Sequence, residues 1–319
     1  PAEDPKSTFA PRVKLDSYPV EELGGLIFAY LGPKPIPVLP RWNIFVKENA
    51  YRMCGQTMLN ANWLQCQENS VDTVHLEWDH GHWGLHALEE KGITDPRRWK
   101  NFERAKKHHI AIDFKRFEHG ILKYRLQEGE DPATSSRWNH GHPMVFPNIV
   151  HIGALGEEEF QIRVPIDDEH TWHLVYHTYD PGPGVTVRAQ EYLPTFEVPV
   201  DTLPAWILQQ DLIVWEAQGP IMQRQQEKLA ETDKGLIMMR KLIDDQIRIV
   251  EDGGDPMNVF RDAHDRIMLE IEDYGDMGRY QPGDVLYGNT GLFAGKAIEE
   301  VDRIFTKARD LALSKRNGA

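Results

Sequence analysis

The chain has 319 residues, 40% of them hydrophobic, with nine tryptophans and twelve phenylalanines, enough for one large or two modest domains around a substantial core. Its formal charge of −14 argues against nucleic-acid or anionic-membrane binding, which needs clustered Lys and Arg, and means that an anionic ligand would require a local basic pocket. Two cysteines, Cys54 and Cys66, make no disulfide framework, and no signal peptide or membrane-length apolar run is present, so a soluble, cytoplasmic protein is expected.

Residues 1–10 are polar and read as loose. Residues 13–15 and 26–31 read as strands, the second a β-branched and aromatic run after Gly24-Gly25. Pro33-Lys-Pro-Ile-Pro-Val-Leu-Pro40 is a stiff, extended connector, which places a domain boundary there, between residues 1–36 and 37–319. Residues 45–56 look like a strand leading into residues 62–80, Asn-Trp-Leu-Gln-Cys-Gln-Glu-Asn-Ser-Val-Asp-Thr-Val-His-Leu-Glu-Trp-Asp-His.

That stretch reads as helical for its first dozen residues, putting Glu68, Asp72 and His75 on one stripe. His80 follows His75 by five, about 140° away on a continuous helix. The glycines at 81 and 84 are therefore expected to end or distort the helix and let the second imidazole fold back. His82 and His86 read as solvent-facing.

Residues 85–108 are charged and read as loop with a short helix; His108 and His109, beside Lys106 and Lys107, read as solvated surface. From residue 110 the period changes to two. Residues 110–117 and 120–126 make a hairpin, and residues 141–152, 159–166 and 170–179 continue as antiparallel strands. His142, Met144 and Phe146 are candidate pocket-lining residues. His173 and His177 share a strand face and tempt as ligands, but surface or core roles are favoured. Residues 203–218 form a helix opened by Pro204 and stopped by Gly219-Pro220. Asp211 projects there from an apolar stripe with Ile207 and Trp215, where a lone carboxylate is costly unless neutralised or metal-bound; Glu216 and Asp201 are the fallbacks. A further amphipathic helix spans 233–250, residues 251–291 read as a long surface loop or partner contact, and 292–313 as a final packing helix.

Two imidazoles beside carboxylates suit an intermediate divalent metal, and two histidines with one carboxylate suit Fe(II) and oxygen chemistry. The pattern Asn62-Trp63-Leu64-Gln65-x2-Glu68-x3-Asp72-x2-His75-x4-His80 resembles the mononuclear-iron motif of Rieske non-heme iron oxygenases, in their phthalate dioxygenase and dehydrodivanillate O-demethylase-like branch. Gln210-Asp211-x4-Glu216-x-Gln218-Gly219-Pro220-Ile221 resembles that family's second iron motif.

The resemblance implies an α+β, helix-grip (Bet v1/START-like) catalytic domain, a twisted antiparallel sheet gripping long helices. Fe(II) would lie between His75, His80 and Asp211, and Asp72 would hydrogen-bond a ligand histidine and link the iron to an electron donor. Glu68 would be structural, a buried acceptor for backbone or indole donors. The family also carries a [2Fe-2S] Rieske cluster, which needs Cys-x-His and Cys-x2-His segments. Cys54 and Cys66 begin neither, so this chain cannot ligate the cluster; residues 13–33 resemble the segment that closes the cluster domain. The reaction implied is hydroxylation or O-demethylation of an aromatic compound with O2 and a reductase or ferredoxin, in a homotrimer. A zinc hydrolase using the same three side chains, or a metal-free carrier of an apolar ligand, are the competing readings.

Overall fold

The structure is a computed structural model that describes residues 4–15, 17–154, 156–269, 277–284, 292 and 295–317. Its frame is an eight-stranded sheet. The strands are β3 (Tyr51–Leu59), β4 (His109–Phe117), β5 (Gly120–Gln127), β6 (His142–Val145), β7 (Ile149–Ala154), β8 (Glu157–Pro165), β9 (Thr171–Tyr179) and β10 (Thr195–Glu197), in the order β10-β3-β9-β8-β7-β6-β5-β4. Among the described residues of this sheet, every strand pair is antiparallel except β10–β3. β1 (Val20–Leu23) and β2 (Leu26–Ala29) form a separate hairpin.

Strand alternation sorts the apolar residues of this sheet into two packing surfaces. On one side Phe160, Ile162, Leu174 and Tyr176 meet Ile44 and Phe45, and the β1–β2 turn docks there through Leu23 and a 2.6 Å hydrogen bond from Tyr176 Oη to the Gly24 carbonyl. On the other side Met53, Val175 and Tyr179 close on two helices. These are the one at Ile207–Ala217, through Leu208, Leu212 and Trp215, and the one at Lys296–Asn317, through Val301, Ile304 and Phe305. A third core joins Phe114, Ile121 and Met144 to Met239 and Leu242 of the helix Lys234–Glu251. The result is the expected mixed α+β arrangement, an antiparallel sheet closing on long helices.

Several local expectations change. Residues 13–15 form no strand, whereas Val20–Leu23, outwardly exposed along most of its length, does. The strand expected over 45–56 is split: Asn43–Val46 is one helical turn whose Ile44 and Phe45 plug the core, and β3 starts at Tyr51. The charged stretch 85–108 holds two helices, Gly84–Glu90 and Pro96–Ala105. The second has Pro96 in its first turn and Asp95 capping it through the Arg97 amide, and it buries Phe102 and Ala105. His109 is buried against Glu77, not solvated; His108 is exposed. Residues 270–276 and 285–291 of the expected long loop lie outside the described residues, but Val38 and Trp42 bridge to Phe260 and Ile267, so the loop's first part lies against the fold. No helix among the described residues is long and apolar enough to cross a membrane.

Six α-helices of six or more residues lie among the described residues: α1 (Trp63–Glu68), α2 (Gly84–Glu90), α3 (Pro96–Ala105), α4 (Ile207–Ala217), α5 (Lys234–Glu251) and α6 (Lys296–Asn317).

Candidate metal centre

Asn62 starts the site locally. Its side chain accepts a hydrogen bond from the Leu64 amide at 2.9 Å, capping α1. The helix tightens over Asn69–Val71 and breaks at Asp72, whose backbone is extended. Glu68, Asp72 and His75 therefore do not share the stripe that a continuous helix predicts. Asp72 Oδ1 accepts from the Val74 amide at 2.8 Å, a turn that restarts the chain in a new direction.

The next segment, Leu76–Trp83, is π-helical. A π-helix joins residues five apart rather than four, and it commonly appears at functional sites. The five-residue interval between His75 and His80 fits that geometry, and the two rings lie with centroids 5.1 Å apart, edge to face. Gly81 and Gly84 do not end the helix, which continues as α2 to Glu90. They make room for α3: a Cβ on Gly81 would fall on the Lys106 backbone, and one on Gly84 would stand 2.5 Å from the Phe102 ring.

The third donor comes from α4. Asp211 Oδ1 lies 3.4 Å from His80 Nε2 and 3.9 Å from His75 Nε2, and it accepts from Asn69 Nδ2 at 3.0 Å. The preceding Gln210 reaches His80 from behind. Its amide nitrogen bonds the Pro204 carbonyl at 3.3 Å and its oxygen meets His80 Nδ1 at 2.9 Å, which puts the ring proton on Nδ1 and turns the Nε2 lone pair toward Asp211. Asp72 Oδ2 stands 3.6 Å from His75 Nδ1 on the far side of that ring.

Electrostatics agree with this geometry. Burial opposes the Asp211 charge, but His80, His75 and Arg163 outweigh it and hold the carboxyl at about 2. Burial likewise opposes ionisation of Asp72, and His75, the Val74 amide and Lys123 bring it to about 2. Burial disfavours a charged His80, yet Asp211 reverses the balance and raises its proton affinity. A buried anion so placed asks for a cation, and a divalent metal would replace the His80 proton. Two imidazole nitrogens and one carboxylate oxygen within 4.8 Å of one another fit Fe(II).

The other candidates are engaged elsewhere. Glu216 accepts from the Asn60 backbone and side chain, and Asp201 pairs with Lys91 at 2.6 Å. Glu68 is structural, but its partners are guanidinium groups, Arg224 and Arg240, each at 2.6 Å, rather than backbone or indole donors. His82 stacks on Trp78 and, like His86, is exposed. His173 and His177 take core positions; His173 packs edge-on against Trp215. Among the described residues one further group of potential ligands lies equally close together, Glu157, Glu159 and His177. It has the reverse ratio of carboxylate to imidazole, and the Glu157 carboxylate is 2.9 Å from His177 Nδ1.

His75, His80 and Asp211 border a cavity of about 300 Å3 that also takes in His142, Lys123, Arg125 and one face of β8. Met144 and Phe146, expected to line the pocket, pack instead in the core around α5. The β8 row Glu157, Glu159, Gln161, Arg163 gives no sign of itself in the sequence, because a strand that alternates polar and apolar residues presents the same pattern when its polar side faces water.

No family model matches the chain. A 5,5′-dehydrodivanillate O-demethylase oxygenase subunit from a Sphingobium species is 35% identical over 268 residues, 81% of this chain and 58% of the relative. A phenoxybenzoate dioxygenase subunit alpha from Ectopseudomonas oleovorans is 27% identical over 79% of this chain and 62% of its own length. The chain thus spans about three-fifths of these relatives. In architecture it is similar to a solved structure of a Pseudomonas putida CBB5 NdmA mutant with caffeine, with a TM-score of 0.50 at 16% identity over 78% of this chain and 66% of that one.

Proposed function

We propose, from the premise that this chain is homologous to the oxygenase subunits of Rieske-type aromatic ring-hydroxylating and O-demethylating enzymes, that it forms the mononuclear-iron catalytic part of such an oxygenase. The observation that carries the reading is the convergence of His75 Nε2, His80 Nε2 and a buried Asp211 oxygen at one cavity wall. Ferrous iron bound there supplies the redox centre at which O2 is activated beside an aromatic substrate. The protein's own contribution is to hold the donors. Gln210 fixes the His80 tautomer, Asn69 steadies the Asp211 oxygen, and the cavity confines the ring.

Asp72 is a third exposed, and it touches His75 from the side away from Asp211. In this reading it connects the site to an electron donor, a [2Fe-2S] cluster carried by the neighbouring subunit of a homotrimer and fed by a reductase or ferredoxin. Residues 1–36 then close the cluster-bearing domain, and residues 37–319 form the catalytic one. Relatives named for dehydrodivanillate, phenoxybenzoate and 3-chlorobenzoate, together with Lys123, Arg125 and Arg137 along the cavity, support an aromatic carboxylate as substrate class. These cations supply the local basic pocket that a chain of net charge −14 needs for an anionic ligand.

Anaerobic loading with Fe(II) followed by metal analysis tests the ligand set. Asp211→Ala is expected to lose iron while keeping its circular-dichroism spectrum; unchanged iron content, or a site that takes zinc and refuses iron, would overturn the proposal. In the cluster-bearing protein with its reductase, Asp72→Asn is expected to keep iron and lose multiple-turnover activity. Normal turnover there would remove the relay role.

A further inference from the structure

Arg163 of β8 is wholly buried, and its guanidinium donates only to neutral groups: Gln161 Oε1 at 2.9 Å, the Gln161 carbonyl at 3.3 Å and Gln67 Oε1 of α1 at 3.4 Å. Its Nε is buried with no protein partner. A buried charge of this kind is costly unless an opposite charge lies near. The guanidinium carbon stands 5.1 Å from the ring centre of Trp215, which follows Asp211 by one turn of α4. His173, the register partner of Arg163 on β9, packs on the same ring at 5.2 Å. Burial and then Arg163 push the proton affinity of His173 well down, so it is a neutral neighbour. Arg163 and Asp211 line one cavity. Burial lowers the guanidinium to about 10, against Cys66, Asp211 and Glu159. Burial keeps Cys66 a neutral thiol, at about 12, and Glu159 is already met by His177 and by Gln161. Asp211 is the acid left for Arg163 to balance.

We propose that Arg163 is the fixed cation of the metal site: it balances Asp211 in the metal-free chain and, with iron bound, favours the ferrous over the ferric state. The second half deepens the proposed function and rests on it; the first half does not. Loss of one electron from ferrous iron adds one positive charge to the site. A carboxylate ligand favours that added charge, and a guanidinium, protonated at neutral pH, opposes it. Burial screens neither effect as water would, so the opposition reaches beyond contact distance. Arg163 acts here as a positioning charge, through Asp211 and the metal, and the neutral amides of Gln161 and Gln67 hold it in place without cancelling it.

Arg163→Met removes the charge and keeps an unbranched side chain against Trp215. In the iron-loaded chain, a redox titration followed by the ferric electron paramagnetic resonance signal is expected to show a lower midpoint. The shift corresponds to a rise of about tenfold or more in Fe(III) affinity relative to Fe(II). Chelator competition is expected to show tighter binding of Fe(II) and of Co(II), whereas a lost packing contact would loosen both and leave the midpoint in place. In the metal-free chain, urea unfolding of Arg163→Met, Asp211→Asn and the double variant closes a cycle. The double variant is expected to be more stable than the sum of the single effects. Should Arg163→Met alone fail to fold, adding Asp211→Asn is expected to restore folding, because neither charge is then left unbalanced. An unchanged or raised midpoint, weaker metal binding by the folded variant, additive effects in the cycle, or a double variant that stays unfolded would each overturn the inference. A wild-type chain that takes no iron would overturn the proposed function and the ferrous half with it, while the cycle still decides the pairing of Arg163 with Asp211.

Discussion

Gln210 is a neutral residue in a site of charges, yet it decides which nitrogen of His80 faces Asp211. Its amide is anchored at Pro204, so its oxygen cannot turn away from His80 Nδ1 without losing that bond. Partners of this kind orient metal-bound imidazoles, and their loss typically costs about 10–100-fold in metal affinity or activity. Gln210→Leu is therefore expected to weaken Fe(II) binding by about that factor, measured by chelator competition. An affinity within about twofold of the wild type would show that packing alone holds the ring. The residue types around His75 and His80 announce metal chemistry in the sequence. Gln210 adjoins Asp211 there too, but nothing in a helix reveals that its amide points the same way as its neighbour's carboxylate until both meet His80.

At the scale of elements, the π-helical stretch Leu76–Trp83 converts an interval of five into a shared side, and α3 is packed hard against it. The sequence leads one to expect that the helix ends or distorts at Gly81 and Gly84; it distorts, as a π-helix, and does not end, because the glycines serve close approach. Chain termination and close approach both select glycine, and only the contact with Lys106 and Phe102 separates them. Gly81→Ala would push its methyl into the Lys106 backbone. The substitution is expected to destabilise the fold by about 1–3 kcal/mol, the usual cost of overpacking, and to weaken iron binding as His80 shifts. Denaturant titration and metal analysis check both; a variant of wild-type stability and iron affinity would mean that α3 is free to move. The charged stretch that holds α3 resembles a loop in sequence because its apolar residues, Trp99, Phe102 and Ala105, are few. Three positions at helical spacing suffice when they meet a glycine-lined surface.

At the scale of the molecule, the two faces of the sheet are sealed by different chemistry. The side that receives Ile44 and Phe45 also buries Glu158, held by Lys47 and by His151 Nε2 at 3.2 Å. Burial pushes this carboxyl up, but His151 and Lys47 outweigh it and bring it to about 2, from an ordinary value of 4.5. A carboxyl lowered on folding stabilises the native state fully above its unfolded value, and that stability is lost as the pH falls toward the folded one. Urea midpoints should accordingly fall between pH 4.5 and about 2, and Glu158→Gln should flatten that part of the profile. An unchanged acid limb would place the sensitivity in other carboxylates.

Residue order alone determined the chemistry available to this protein. It supplied two histidines five apart among helix-forming residues, an aspartate in an apolar helix and alternation that demands an antiparallel sheet, because each of these is a local periodicity that neighbouring residues enforce. Tertiary packing decided the rest: that Asp211 rather than Glu216 or Asp201 meets the imidazoles, that Asp72 leaves the helix to stand beside His75, and that the acids of β8 face a cavity and not water. A strand's alternation fixes which residues share a side. Which side is inside depends on the helices that the sheet closes upon, and those lie more than a hundred positions away from the first half of the site.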